Sequence, residues 1–451
     1  QVGMASTTWD TLGPRLRITD LLLLSMPAGA RVTHARARTS AIVNRALRLD
    51  TLDVVLDVDN RHLTAHGAVT GDSVLILTVS AGPLTQSTRV TLHQPLVLPS
   101  VLPLRLALGG ALKTGRSVSM LVFDPLTLSA RDVAATIAAE TTFVVTDSAG
   151  FDSTTMAWTA ARLDTVRSFE IDELAAGRTT RTWVDADGRL VAALSPAGFG
   201  WTRSAYEIAY DNFRAHPPRA VASRRDTVLA STAREAGLTP TGSGSAELRL
   251  RVRRLDLNRL TLAGGRQELR GDTLVVRRED TDALTATYKL PAPPPGLAPW
   301  LTPEPLIPSA APSVVAQART LLGRETDPGR AARLLLDWVS HHVHPGVGTP
   351  LPVALAALAG QPGDCNEAVA LYVSLARALG LPARAAAGLL DEHGRFYYHA
   401  WAEVYLGAWV AVDPLLDQMP ADAGHVRFAV GAFADPFELV RVIGRVGLDI
   451  L

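Results

Sequence analysis

The sequence predicts a multidomain α+β chain, with a β-rich N-terminal region followed by a module in which a cysteine-bearing helix packs on an antiparallel sheet. Three observations predict it. The chain has 451 residues, more than one hydrophobic core usually serves, so two or three domains are expected. Its first part reads as short runs of Val, Ile and Leu punctuated by turn signals. Beyond a proline-rich stretch at Pro291–Pro295 the texture changes to helical spacing.

The elements follow in order. Thr51–Val58 and Ser73–Val79 read as strands bounded by the turn pairs Asp59-Asn60 and Gly71-Asp72. Ser117–Phe123, Thr142–Thr146 and Thr179–Val184 continue the pattern, and Asp187-Gly188 makes a hairpin turn into Arg189–Leu194. Thr202–Phe213 has helical spacing, with Tyr206, Ala209, Tyr210 and Phe213 on one face, and His216-Pro217-Pro218 ends it. Glu247–Leu262 alternates Arg with Leu and Val, which reads as a strand with a solvated arginine face; Leu274–Val276 resumes the β pattern after Gly271-Asp272. Ser313–Leu322 and Gly329–His342 are amphipathic helices, the second expected to turn Leu334, Leu335, Trp338 and Val339 to a core. The expected domains are 1–218 (β-rich, with an open barrel as one form), 219–294 (a β-rich module ending in the linker) and 295–451.

Composition narrows the function. The chain is 47% hydrophobic and 20% charged, which marks it as globular. Its formal net charge is zero, which argues against nucleic acid or an anionic membrane surface as the main partner. Lys113 and Lys289 are the only lysines; the arginine-rich usage by itself points to no function. The most apolar stretch, Leu96–Leu112, is interrupted by Pro99, Pro103 and Arg105, so no transmembrane segment is expected. The chain starts at Gln1, which is read as the product of leader removal, with a periplasmic or secreted location expected. Cys365 is the one cysteine, so no intrachain disulfide is possible.

A single cysteine is ordinarily a small buried hydrophobe, and its neighbours decide otherwise. Gln361-Pro362-Gly363-Asp364-Cys365 opens a helix that runs to Leu379, where Gly380 and Pro382 stop it. Cys365 then sits in the first turn, among unpaired N–H groups at the positive end of the dipole. That placement favours thiolate, with a pKa below the ordinary value of about 8.5, and offers donors to an oxyanion. Ala368, Leu371, Tyr372, Leu375 and Leu379 form the buried stripe, and Asp364 is the expected cap. Downstream, Tyr398–Tyr405 alternates like a strand, Gly407 marks a turn, and Trp409–Asp413 is its partner. A two-residue turn would put Asp413 on the face that His399 does not use. A three-residue loop, Leu406–Ala408, pairs Tyr405 with Trp409 and puts Asp413 opposite Trp401, diagonal to His399 at roughly 7–8 Å between Cα atoms. The second register lets Asp413 bond His399. The chemistry of the three types is that of a nucleophile, a proton carrier and its orienting anion. Trp401 and Trp409 read as core or cleft wall, and Glu403 as half of a structural ion pair.

Gly363-Asp364-Cys365, Arg377–Arg384, His399-Ala400-Trp401 and Trp409–Pro414, in that order, resemble the transglutaminase-like core. The resemblance covers about residues 300–451. It implies a papain-like fold and acyl transfer through a thioester, with Cys365, His399 and Asp413 as a triad, a protein or peptide as substrate and no cofactor. Gln361 is the weakest part of the match, as a side-chain oxyanion donor. Thr179–Leu194 and the helix after it resemble open β-barrels of the lipoprotein-carrier kind, which leaves a ligand or partner of the N-terminal region unnamed. Hydrolysis of amide bonds is the leading expectation. Transfer to an amine, as in a protein cross-linker, and a non-catalytic binding or scaffold role stay open; an intact triad speaks against the scaffold. His341-His342-x-His344 suggests a metal, but lacks a supporting Cys or carboxylate pair, and capping of the helix end accounts for it.

Overall fold

The computed structural model describes residues 3–28, 31–59, 61–81, 84–175, 178–194, 200–215, 229–232, 241–253, 262–280, 286–344, 346, 353–431 and 446–451. His216-Pro217-Pro218 and the end of the predicted run to Leu262, residues 254–261, lie outside them.

The expected strand-and-turn rhythm builds two sheets. Gly3–Leu12, Arg15–Ala28, Arg31–Asn44, Leu49–Val58, Arg61–Thr70, Val74–Ala81 and Leu84–Thr91 form a seven-stranded antiparallel meander in chain order. Its apolar residues alternate, so Leu52, Val54, Leu56, Leu63 and Ala65 enter one core. The second sheet is also seven-stranded, running from Leu96–Val97 through Ser117–Asp124, Ser129–Asp152, Ala157–Ala175, Arg178–Asp185 and Leu190–Leu194 to Gly200–Thr202. The strand Ser117–Asp124 joins the two halves: Leu121 and Phe123 pack into the core of the first sheet, Met120 and Val122 into that of the second. Leu96–Leu112 supplies a short strand and the helix Leu102–Leu108, and no helix among the described residues is long and apolar enough to cross a membrane.

The helix expected at 202–213 forms at Tyr206–Ala215, but its predicted face is not a core face. Tyr206 and Tyr210 stack on each other at 5.7 Å, and none of the helix's residues is buried. It touches the strands Gly3–Leu12, Ser129–Asp152 and Ala157–Ala175 without being covered by them.

The C-terminal part packs the helices Pro312–Leu322, Pro328–His342, Ala354–Leu358 and Cys365–Ala378 on a sheet ordered Leu229–Thr232, Arg395–Tyr405, Ala383–Glu392, His425–Val430, with Trp409–Val412 also paired to Arg395–Tyr405. The cysteine helix carries the predicted stripe and more, for it is buried from Glu367 to Arg377 on every side. Tyr372 donates to the Ala332 carbonyl at 3.1 Å, and Arg377 holds the far end through Ala383, Thr302 and Glu304. In Pro328–His342 the core face is Ala331, Ala332, Leu335, Leu336 and Val339; Leu334, expected inside, is 40% exposed because it lies a step out of phase with them. Gly380 ends the cysteine helix at φ 79°, where an added Cβ would stand 2.6 Å from the Pro291 carbonyl oxygen.

A fourth sheet is ordered Gln267–Arg270, Thr273–Arg277, Glu247–Arg253, Gly447–Ile450. Leu248, Leu250 and Val252 turn inward, while Arg249, Arg251 and Arg253 face solvent and pair with Glu247, Asp272 and Asp449. Hydrogen bonding and packing both cross the sequence boundary drawn at 294/295: Glu247–Arg253 pairs with the last strand, and Leu248, Leu250 and Leu274 share a core with Leu389, Phe396 and Phe428.

Candidate active site

The site grows from one hairpin and one helix start. Tyr405 pairs with Trp409 and Ala402 with Val412, the register of the three-residue loop. The odd-numbered residues His399, Trp401 and Glu403 therefore share a face with the end of the second strand, and Asp413 Oδ2 accepts from His399 Nε2 at 2.6 Å. The other carboxylate oxygen accepts the Leu415 and Leu416 N–H groups at 2.8 and 3.0 Å. Burial opposes the Asp413 charge, and the ring donors overcome it, so the carboxyl is held far below the usual carboxylate range.

Cys365 begins its helix, as the Pro-Gly turn predicts, with Asp364 as N-cap. Asp364 accepts from Asn366 N at 2.7 Å, and the Glu367 side chain returns to Asp364 N at 3.0 Å, closing a capping box. The cap takes up N–H groups that were expected to be free, and among the described residues it is the Cys365 N–H itself that lacks a partner. The sulfur is met by the Ala400 backbone N–H, one residue from His399. The even-numbered Ala400, Ala402 and Val404 pack on the cysteine helix. Thus the structure bonds His399 to Asp413 and sets Cys365 against the same strand, but among the described residues no hydrogen bond joins Cys365 to His399.

The expectation of a lowered thiol pKa is corrected. Cys365 is 1% exposed, and burial first, then the carboxylates of Asp364, Asp413 and Glu367, push the thiol well up; the Ala400 N–H works in the other direction. The helix dipole reading omitted the negative groups that the cap and its partner strand bring to the same end. Tyr398 closes another side, donating to Asn366 Oδ1 at 2.8 Å.

The face also holds residues that the sequence reading missed. His425 donates from Nε2 to the same Asp413 oxygen at 2.9 Å, and its Nδ1 meets Asp422 Oδ1 at 2.9 Å. A β-bulge brings it there. Ala387 pairs with Ala429 and Gly388 with Arg427, so Phe428 is the extra residue. Without it, the residues in phase with Val430 would be Phe428 and Val426; with it, Arg427 and His425 join the His399 face. Gly388 permits the approach, since a Cβ there would lie 2.0 Å from the Val426 carbonyl oxygen. Glu403 proves to be a structural anion shared by two guanidiniums, Arg384 at 2.6 Å and Arg427 at 2.8 Å. Trp401 is wholly buried beside His425, and Trp409 lies under the Arg384 guanidinium.

A ligand atom from each of His399, Asp413 and His425 lies within 4.8 Å of the others. Zinc ligands at about 2.0–2.2 Å from a tetrahedral ion stand roughly 3.3 Å apart. The 2.6 Å contact is shorter and suits a shared proton, so the set fits a hydrogen-bonded array better than a cation site. In the other histidine cluster, His341 bonds the Asp337 carbonyl at 2.7 Å and His342 the Leu358 carbonyl at 2.9 Å.

Residues 315–414 match the transglutaminase-like superfamily. The transglutaminase-like segment contains Cys365, His399 and Asp413 and stops short of Asp422 and His425. No curated protein matches the chain. Among solved structures, a protein from Cytophaga hutchinsonii named as a candidate cysteine protease is 15% identical with TM-score 0.31, over 46% of this chain and 81% of that one. A DUF1089 family protein from Pseudomonas aeruginosa is 9% identical with TM-score 0.25, over 42% and 88%. A β-barrel-like DUF1849 protein from Brucella abortus is 10% identical with TM-score 0.28, over 42% and 80%. These likenesses are too loose to carry an argument.

Proposed function

We propose that the chain is a cysteine-nucleophile acyl-transfer enzyme that hydrolyses amide bonds in proteins or peptides, with Cys365, His399 and Asp413 as its triad. The observation that carries this is the His399–Asp413 bond at 2.6 Å, on the strand whose Ala400 N–H meets the Cys365 sulfur. With Nε2 committed to Asp413, Nδ1 of His399 is the nitrogen left to take the thiol proton. The thiolate forms a bond to the carbonyl carbon, the Cys365 N–H receives the oxyanion, and His399 returns the proton to the leaving nitrogen as the C–N bond breaks. Water, deprotonated by the same ring, then attacks the thioester carbon; the C–S bond breaks and the ring returns its proton to the Cys365 sulfur. The sealed thiol means that substrate binding must draw the helix start and His399 together, as catalytic contacts often tighten only in the complex.

The same sealed thiol favours one other reading, a non-catalytic module in which Cys365 is core. The test is to incubate an unfolded, reduced protein pool with the full chain and with Cys365→Ala, in the presence and absence of putrescine. New amino termini or released ammonia with the wild type alone supports hydrolysis, and putrescine incorporated in place of water supports amine transfer. Identical traces from both proteins would leave the scaffold reading.

A further inference from the structure

Both ring nitrogens of His425 face carboxylates, Nε2 on Asp413 Oδ2 and Nδ1 on Asp422 Oδ1, each at 2.9 Å. A neutral imidazole has one N–H and one lone pair, and a lone pair against an ionised carboxylate oxygen is repulsive. Either a carboxylate is protonated or the ring carries both protons. Asp413 already accepts two backbone N–H groups and His399, and Asp422 accepts Gly244 N at 2.7 Å and Gly424 N at 2.9 Å, so both are built as anions. We propose that His425 is a positioning residue, a doubly protonated imidazole that clamps Asp413 against Asp422 and holds it in the orientation that His399 requires; this rests on the acyl-transfer reading above.

The surroundings agree. Burial opposes a charge on His425, yet the bonds and charges of Asp413 and Asp422 hold the ring above its ordinary value. His399 faces it at 5.6 Å between ring centroids, and Trp401 presents an edge-to-face ring at 5.2 Å. From the neighbouring sheet the Arg266 guanidinium binds the carbonyls of Ala421 and Asp422, fixing the loop that carries the second anion. His425 and His399 are two imidazoles on one carboxylate oxygen, so the clamp on His425 fixes the oxygen that His399 bonds.

The experiment has two arms on the full chain. In the first, long-range proton–nitrogen correlation of the histidine rings at neutral pH, assigned by His425→Gln, should show both His425 nitrogens protonated; one unprotonated nitrogen would overturn the proposal. In the second, hydrolysis of p-nitrophenyl acetate is followed at neutral pH for the wild type, His425→Gln and Asp422→Asn. Both variants should lose about tenfold to a hundredfold in kcat with little change in KM. An active wild type with kcat unchanged in folded variants would overturn the positioning role alone. A wild type inert towards the ester would remove the acyl-transfer reading and the positioning role with it, leaving a doubly protonated ring as a structural bridge. Should His425→Gln fail to fold, Asp422→Asn, which removes the demand for the second proton, decides the question.

Discussion

Changing Asp413 to Asn keeps the shape of the side chain and removes its charge. Its oxygens now serve four donors: His399 and His425 on one, and the N–H groups of Leu415 and Leu416 on the other. An amide has one oxygen. If that oxygen stays with the turn, the NH2 faces two ring N–H groups, and both lose a charge-assisted bond worth about 1.5–3 kcal/mol each. Leaving an uncompensated buried cation costs on the order of 3–5 kcal/mol in comparable cases, so a loss in that range is expected for the hairpin. Hydrogen exchange of the strand Arg395–Tyr405 measures it locally, which suits a chain of several cores better than a global melt. The pH dependence follows from the depressed Asp413 carboxyl. Its stabilisation is fully present above the unfolded value of about 3.9 and is lost as pH falls towards the folded one, so the gap between wild type and variant should narrow below about pH 4. Turnover should fall by about 10²–10⁴-fold, since the ring loses its orienting anion. Protection within 1 kcal/mol of wild type at pH 7, together with unchanged turnover, would refute the reasoning.

Three other outcomes are expected. Glu403→Gln should destabilise the sheet by about 3–5 kcal/mol in hydrogen exchange, because it removes the carboxylate that the Arg384 and Arg427 guanidiniums share in a buried layer; a change under 1 kcal/mol would show that the layer is solvated. Gly388→Ala should cost about 1–3 kcal/mol and weaken activity by displacing the bulged strand that carries His425, whereas an unperturbed His425 ring spectrum would contradict the packing argument. Native Cys365 should alkylate with iodoacetamide more slowly than a free thiol at every pH and reach the ordinary rate only in denaturant; free-thiol kinetics in the native protein would mean that the thiol is not sealed.

The hairpin register was legible because a loop length and a period of two leave two choices, and the need for Asp413 to meet His399 selects one. The cysteine helix was legible from its Pro-Gly entry, its Asp364 cap and its Gly380 stop, each a local signal. His425 was not. The strand His425–Val430 pairs with Ala383–Glu392 across a long connection, and the bulge at Phe428 inverts its phase without any mark in the sequence. The sign of the thiol shift was missed for a related reason: Asp364 is local, but the burial and the approach of Asp413 depend on tertiary packing. The arginine strand Glu247–Arg253 was read correctly as alternating, yet nothing in its composition says that its neighbour is the last strand, Gly447–Ile450.

The central claim is that Cys365 becomes acylated. Intact mass and peptide mapping after acid quench of the full chain with p-nitrophenyl acetate test it directly. The account predicts a single acetyl group on the peptide containing Cys365, absent from Cys365→Ala and slowed in Asp413→Asn. Acylation confined to other residues, or equal labelling of Cys365→Ala, would contradict it.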